Sequence, residues 1–96
     1  GIIRGQKRGG RIITSAGPEL TTDDLVVCNS GSPVTLTLLA ATGSFRSRSF
    51  ANLLTGVFTV SAAGGETING SLTKILNQYD SVTVVDVAAG AWLIAL

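Results

Sequence analysis

The chain has 96 residues, of which 14% are charged and 45% are hydrophobic, and its net charge is +1. This length allows one small domain with one modest core and excludes a second core. Because ordinary soluble domains carry about 25% charged residues, a chain this poor in charge would expose large uncharged patches if it stood alone. We therefore expect copies of the chain to bury that surface against one another.

Several residue types that carry chemistry are scarce. Histidine is absent, which removes the commonest general base and most zinc sites. Cys28 is the only cysteine, so a disulfide within the chain is excluded, and its place in the β-rich run LVVCNS predicts a small buried hydrophobe. No stretch approaches 18 consecutive apolar residues, so membrane insertion is not expected. Since the chain opens on glycine and lacks methionine, we expect a piece of a longer protein.

Basic residues are concentrated at the start of the chain, where GIIRGQKRGGR carries four of the seven and no acid. A short basic arm of this kind can touch phosphates. It has no aromatic residue, however, and no recognised nucleic-acid fold follows it, so a linker is the favoured interpretation and no nucleic-acid partner is expected. We assign residues 1–22 to a basic arm or linker that allows one short strand at RIIT. Residues 23–96 form a β-rich module.

Short β-rich runs separated by Gly, Ser, Asn and Pro make up the rest of the chain. After DLVVCN, the run VTLTLL places Leu36 and Leu38 on one face and threonines on the other, which is the pattern of a half-buried strand. The next run, SFRSRSFAN, places Arg46 and Arg48 on one face. Only SLTKILNQY allows a helical turn, and it is too short to be stable without packing. These runs predict an all-β fold, specifically a small antiparallel β-sandwich or a β-prism-like domain.

Two tight reversals lie close together in GGETINGS. Gly64 and Gly65 let the backbone reverse without a Cβ penalty, and Asn69–Gly70 is a strong signal for a two-residue type I′ hairpin. Between them, ETI is just long enough to lay Ile68 onto the core as a very short strand. The predicted core comprises Leu36, Leu38, Phe58, Val60, Ile68 and Trp92.

The order of these pieces resembles a C-terminal module of bacteriophage tail fibres, tailspikes and related virion appendages. In that family a proline and an alternating strand come first, followed by an aromatic strand that ends in Asn. A vtv strand and a g-x-tI-x-G corner come next. A strand that begins with serine and a final G-x-W complete the pattern. Residues 33–96 carry PVTLTLL, RSFAN, GVFTVS, GGETING, DSVTVVD and GAWLIAL in that order. The run DVAAGAW departs from the pattern by carrying alanines where a polar turn is common. The matching motif positions are Asn52, Thr67, Ile68, Gly70, Ser81, Gly90 and Trp92.

The resemblance implies a homotrimer of β-rich chains at or near the end of an elongated fibre, with a role in trimerising the fibre or in host attachment. It implies other virion tail proteins as partners and a bacterial surface glycan or lipopolysaccharide as the receptor. The expected location is the virion tail appendage, after folding in the host cytoplasm. The alternative function is a purely structural trimerisation module with no receptor contact.

No motif predicts catalysis. SLTK, residues 71–74, matches the S-x-x-K of acyl-transferring serine enzymes only formally, because the companion motifs and the larger scaffold are missing. Asp80 and Asp86 flank one short strand, whereas a glycosidase needs two carboxylates that face one sugar. They are better read as turn and strand-end acids. We expect no enzyme activity, no metal site and no cofactor.

Five side chains are the candidate receptor-binding residues. Arg46 and Arg48 could hold an anionic sugar or a lipopolysaccharide phosphate, although ion pairs with a neighbouring chain across a trimer seam are the favoured interpretation. Tyr79, in the polar turn NQYDS, is a better candidate than Trp92 for stacking on a sugar, because Trp92 is expected in the core. Asn77 and Gln78 lie beside Tyr79.

Two leucines are the predicted trimer contacts. VTLTLL and AWLIAL are too apolar for one small core to cover both faces of each. Leu39 and Leu93 fall on the faces opposite Leu38 and Trp92, so we assign Leu39 and Leu93 to the trimer interface.

Overall fold

The computed structural model describes residues 10–95, and within them it contains ten β-strands and no helix, so no helix there could cross a membrane. The all-β prediction is confirmed. The stretch that allowed a helical turn is instead a strand, because Thr73–Leu76 pairs with Phe58–Ser61 along its whole length. The strands are β1 (Gly10–Ile13), β2 (Gly17–Pro18), β3 (Leu25–Cys28), β4 (Val34–Thr37), β5 (Ser47–Asn52), β6 (Phe58–Ser61), β7 (Thr67–Ile68), β8 (Thr73–Leu76), β9 (Ser81–Ala88) and β10 (Ala91–Ile94).

The strands form two mixed sheets. The six-stranded sheet has the order β1-β3-β5-β9-β10-β7, and the four-stranded sheet has the order β2-β4-β6-β8. From β1 to β9 the chain therefore changes sheet after every strand. Each connection between consecutive strands is an arch from one sheet to the other, until β9 and β10 pair directly.

The prediction of antiparallel sheets is wrong. The ladders β1–β3, β3–β5, β2–β4, β4–β6 and β7–β10 are all parallel. The reason is the alternation between sheets: up to β6, the chain crosses to the other sheet and returns to add its next strand in the same direction. The pair β6–β8 is the exception, since the two turns around β7 reverse the chain and the pair is antiparallel. The punctuation SGSP, which resembles a hairpin turn in sequence, is one of these crossings, since it joins β3 to β4.

The corner between β6 and β8 has the form expected from its glycines. Asn69 and Gly70 both have positive φ, 52° and 83°, as a type I′ turn requires. The flanking residues Ile68 and Ser71 exchange two backbone hydrogen bonds, of 2.6 and 3.0 Å. Gly65 reverses the chain at φ 79°, and the two-residue strand β7 lies between the two turns.

The core lies between residues of both sheets. Phe50 of the six-stranded sheet and Phe58 of the four-stranded sheet meet edge to face, with ring centroids 6.3 Å apart. All six residues of the sequence-predicted core are buried, and so is Cys28. Buried and more exposed residues alternate regularly along β4, β6 and most of β9, as expected for strands with one face on a core.

Residues 10–22 are part of this fold. β1 pairs with β3, β2 pairs with β4, and Glu19 is buried. The predicted boundary after residue 22 thus does not coincide with a structural boundary among the described residues. Arg11 forms an ion pair of 2.8 Å with Asp23, while the other basic residues of the predicted arm lie outside the described residues.

The outer face of the six-stranded sheet carries no charged side chain among the described strand residues. We call it the uncharged face. In one row across the sheet, Ser47 pairs with Val85, which in turn pairs with Leu93. Leu93 is half exposed. The side chains on this face are Ile12, Leu25, Val27, Ser47, Ser49, Ala51, Ser81, Thr83, Val85, Val87 and Leu93.

Candidate binding loops

The five predicted receptor-binding residues do not converge. Asn77, Gln78 and Tyr79 lie in the turn between β8 and β9, whereas Arg46 immediately precedes β5. Because β5 and β9 are antiparallel, with Ser47 opposite Val85 and Ala51 opposite Ser81, Arg46 and Tyr79 lie at opposite ends of this ladder. They cannot contact one small ligand together.

Arg48 is buried, so the prediction that it stands at the surface beside Arg46 is wrong. Its side chain forms an ion pair with Glu19, and its guanidinium lies over the ring of Trp92, 5.0 Å from the centroid. The alternation that grouped Arg48 with Phe50 was correct, but Phe50 faces the core and Arg48 therefore does so too. Burial raises the pKa of Glu19, and a hydrogen bond from the Leu39 amide and the charge of Arg48 limit that rise.

Arg46 is exposed and adjoins a backbone outlier. Its Nη2 donates a hydrogen bond of 2.9 Å to the Thr21 carbonyl. The preceding residue, Phe45, has φ 59° and is 70% exposed. A bulky residue in the left-handed region costs about 1–2 kcal/mol, so the surrounding structure must hold it there.

Asp86 holds the loop that contains Phe45. Its buried carboxylate accepts hydrogen bonds from the amides of Thr42 (2.8 Å) and Gly43 (2.6 Å) and from the hydroxyl of Ser44 (2.9 Å). Its carbonyl accepts a bond from the Phe45 amide. Burial acts to raise the pKa of Asp86, but the hydrogen bonds together outweigh it and hold the pKa below its ordinary value.

The turn at residues 77–80, which we call the Tyr79 loop, is the second place with an exposed aromatic side chain on a left-handed residue. Tyr79 has φ 69° and is 77% exposed. The turn is closed twice between Asn77 and Asp80. The Asp80 amide donates to the Asn77 carbonyl, and the Asn77 amide donates to Asp80 Oδ2, each at 2.9 Å.

Asn52 fixes the Tyr79 loop to its surroundings. The backbone of Asn52 accepts from the Tyr79 amide (2.7 Å) and donates to the Asp80 carbonyl (3.0 Å). Its buried side-chain Nδ2 donates to the carbonyls of Gly56 (2.8 Å) and Leu76 (2.9 Å). One buried residue at the end of β5 therefore connects the Tyr79 loop, the connection before β6 and the end of β8.

The Tyr79 loop carries the amide side chains of Asn77 and Gln78 and the exposed carboxylate of Asp80. Gln78 Nε2 donates to the Leu53 carbonyl at 3.4 Å, which places the loop against residues 53 and 54. Leu53 and Leu54 are both partly exposed. An aromatic ring beside aliphatic and amide side chains, on a backbone fixed by hydrogen bonds, is suited to stack on a sugar ring and to bond its hydroxyls. Phe45, Leu53 and Leu54 were not identified from sequence. The positive φ of Phe45 has no signature at a phenylalanine, and the place of Leu53 and Leu54 beside the Tyr79 loop depends on the fold.

The acidic residues and Cys28 are not grouped into a metal site in the described part of the chain. They include no group of three or more His, Cys, Asp or Glu residues placed to hold a metal. Burial raises the pKa of the Cys28 thiol, which disfavours the reactive thiolate. Asp80 immediately precedes β9 and Asp86 lies within its second half, and each carboxylate is engaged by its own loop.

The two predicted trimer contacts lie on different elements. Leu93 is on the uncharged face. Leu39 follows β4 and is half buried, and its amide donates to Glu19 Oε1 at 2.8 Å. Only Leu93 belongs to a broad exposed surface of the described chain.

Comparison of the chain with models of known protein families and with curated protein sequences gives no match.

Proposed function

We propose that this chain is a structural and adhesion module of a bacteriophage tail fibre or tailspike, which forms homotrimers and contacts the host cell surface. The uncharged face carries the proposal. A surface of this breadth without a charged side chain is unusual for a monomer, since exposed apolar patches mark interaction sites. The order of motifs over residues 33–96, which resembles tail-fibre modules, gives the kind of assembly and its location in the virion.

In the proposed assembly, the uncharged face packs against two neighbouring copies, with Leu93 in the seam. Its hydroxyl groups suit such a seam because they can be satisfied within the chain: Ser49 and Thr83 already share a hydrogen bond of 2.9 Å. The Tyr79 loop then provides the host contact, and the ligand is a surface saccharide bound mainly by stacking on Tyr79.

The adhesion function is supported by the unfavourable backbone of Tyr79. Tyr79 is kept in the left-handed region at a cost, with its side chain in water, and unlike Phe45 it carries a phenolic hydroxyl and has the amide side chains of Asn77 and Gln78 beside it, which suits a saccharide. In the alternative function, a purely structural trimerisation module, nothing would require an aromatic residue at position 79.

The test compares binding of the trimer to bacterial cells and to a glycan array for the wild type and two variants. Tyr79→Gly is expected to lose binding while keeping fold and mass. Phe45→Gly is the matched control, since it removes an equally exposed aromatic in the same backbone region at the other end of the β5–β9 ladder. Binding that survives in Tyr79→Gly refutes the adhesive role of this loop. If neither the wild type nor the control binds any cell or glycan, the structural alternative replaces the proposal.

A further inference from the structure

A cleft lies beside β1 and β2, the first strands of the two sheets along the chain. Its volume is about 370 Å³, and it is lined by the arch from Arg11 to Pro18 together with Leu20 and Leu36. Ile13 and Leu36 belong to the core, so the cleft reaches the end of the hydrophobic interior. We call it the edge cleft.

The strands that border the edge cleft each have one free edge in the described part of the chain. β1 is the terminal strand of the six-stranded sheet and pairs only with β3. β2 is the terminal strand of the four-stranded sheet and pairs only with β4. Along β1 the backbone N–H and C=O groups of this edge are available for an added strand. β2 offers less, because Pro18 has no N–H and its carbonyl accepts a hydrogen bond of 3.3 Å from Arg11 Nη2.

Apolar side chains are exposed beside these free edges. Ile12 is 68% exposed and Leu20 is 44% exposed. The charged residue in the lining is already neutralised, because Arg11 donates from Nε (3.1 Å) and Nη2 (2.8 Å) to the Asp23 carboxylate. The occupant must therefore be uncharged, partly apolar and able to pair with backbone groups.

We propose that the edge cleft binds an extended, uncharged segment of another polypeptide, which adds a strand to β1 and inserts an apolar side chain over Ile13 and Leu36. Inward-facing and outward-facing residues alternate along β1, so every second residue of the segment meets the cleft. A second folded copy fits less well. An edge strand that carries its own sheet can pair with β1, but that sheet prevents its side chains from reaching between β1 and β2.

The probe is the fluorescent synthetic peptide Thr-Val-Thr-Val-Thr-Val, blocked at both ends, added to the full chain. Its binding is followed by fluorescence anisotropy, and the site is located by hydrogen exchange. Wild-type protein is expected to bind it and to gain protection at the amides of residues 10–13. A peptide with proline at its third position, which lacks a backbone donor there, is expected to bind at least about tenfold more weakly.

Two variants enlarge residues that line the cleft without changing any residue of β1. At Gly17 an added Cβ would meet nothing within 4 Å, and its φ is ordinary, so Gly17→Leu is tolerated and projects into open space. Ala16→Trp is the second variant. Gly64→Leu is the matched control, because the space around its Cβ is also open. Filling the cleft should weaken binding at least about tenfold, and the control should bind as the wild type does.

The proposal is overturned if no peptide binds, if both filled variants bind as tightly as the control, or if the proline peptide binds equally well. It is also overturned if, without peptide, the β1 amides become more protected from hydrogen exchange as the protein concentration rises and Gly17→Leu abolishes this protection. That result would identify a second copy as the occupant.

Discussion

Glu19 and Arg48 form an ion pair in the interior of the protein. Glu19 follows the edge strand of the four-stranded sheet, and Arg48 lies in β5, inside the six-stranded sheet, so the pair connects the two sheets. Each partner is buried, and each depends on the other for its compensating charge.

Removing one member of this pair is expected to be strongly destabilising. Glu19→Leu leaves the buried guanidinium of Arg48 without its carboxylate, and the free energy of unfolding should fall by about 3–5 kcal/mol. The double variant Glu19→Leu/Arg48→Met removes both charges and should recover most of that loss. Urea unfolding of the wild type, Glu19→Leu, Arg48→Met and the double variant measures both effects, and a double variant whose loss equals the sum of the two single losses would contradict the pairing.

Asp86 is expected to make stability depend on acid pH. Its pKa in the folded protein is below the ordinary value of 3.8, so its contribution to stability is complete above that value and is lost as the pH falls through the folded pKa. Asp86→Asn loses at least one hydrogen bond to a charged acceptor and should be less stable at neutral pH by about 1.5–3 kcal/mol. The difference in the free energy of unfolding between the wild type and Asp86→Asn should shrink as the pH falls from about 5 to about 2. A difference that stays constant over that interval would show that the charge of Asp86 is not what holds the loop.

Gly56 is expected to tolerate no side chain. A Cβ at this position would lie 2.2 Å from the Ser32 carbonyl oxygen. Because that oxygen belongs to the backbone of the neighbouring arch, Gly56→Ala should lower the free energy of unfolding by about 1–3 kcal/mol. Gly31→Ala is the control in the same region, since nothing lies within 4 Å of its Cβ. If Gly56→Ala and Gly31→Ala unfold at the same temperature, the arches are not packed as described.

The glycine variants at Tyr79 and Phe45 also test backbone strain. Glycine removes the steric cost of positive φ but adds chain entropy to the unfolded state, so stability should stay the same or rise by up to about 1 kcal/mol. Chemical unfolding measures this. A loss of several kcal/mol in either variant would mean that the aromatic ring supports the fold and is not kept for binding.

Sequence patterns predicted local features better than arrangement. The type I′ turn at Asn69–Gly70 and the short strand before it depend on backbone preferences of single residues, and they were predictable for that reason. The parallel ladders were not, because a crossing arch and a hairpin use the same Gly, Ser and Pro residues. Arg48 shows the same limit: its face on β5 followed from alternation, but its buried partner, Glu19, is brought to it only by the crossing from β2 to β3.

The candidate binding loop was predictable in part. Tyr79 stands in a polar turn, and that context identified it as an exposed aromatic. The anchoring role of Asn52 depends on the carbonyls of Gly56 and Leu76, and Leu76, which is 24 residues away, becomes a neighbour only when both sheets are formed.

The most direct test of the proposed assembly is the mass of the protein in solution, measured by light scattering after size exclusion, for the wild type and Leu93→Asp. The wild type is expected to have three times the chain mass. Leu93→Asp should be a folded monomer, because three carboxylates would meet in a poorly hydrated seam without partners. Thr73→Asp, at an exposed position of β8 in the four-stranded sheet and so away from the uncharged face, controls for added charge and should remain a trimer. A stable, soluble wild-type monomer, or a Leu93→Asp protein that remains a well-folded trimer, would contradict the account.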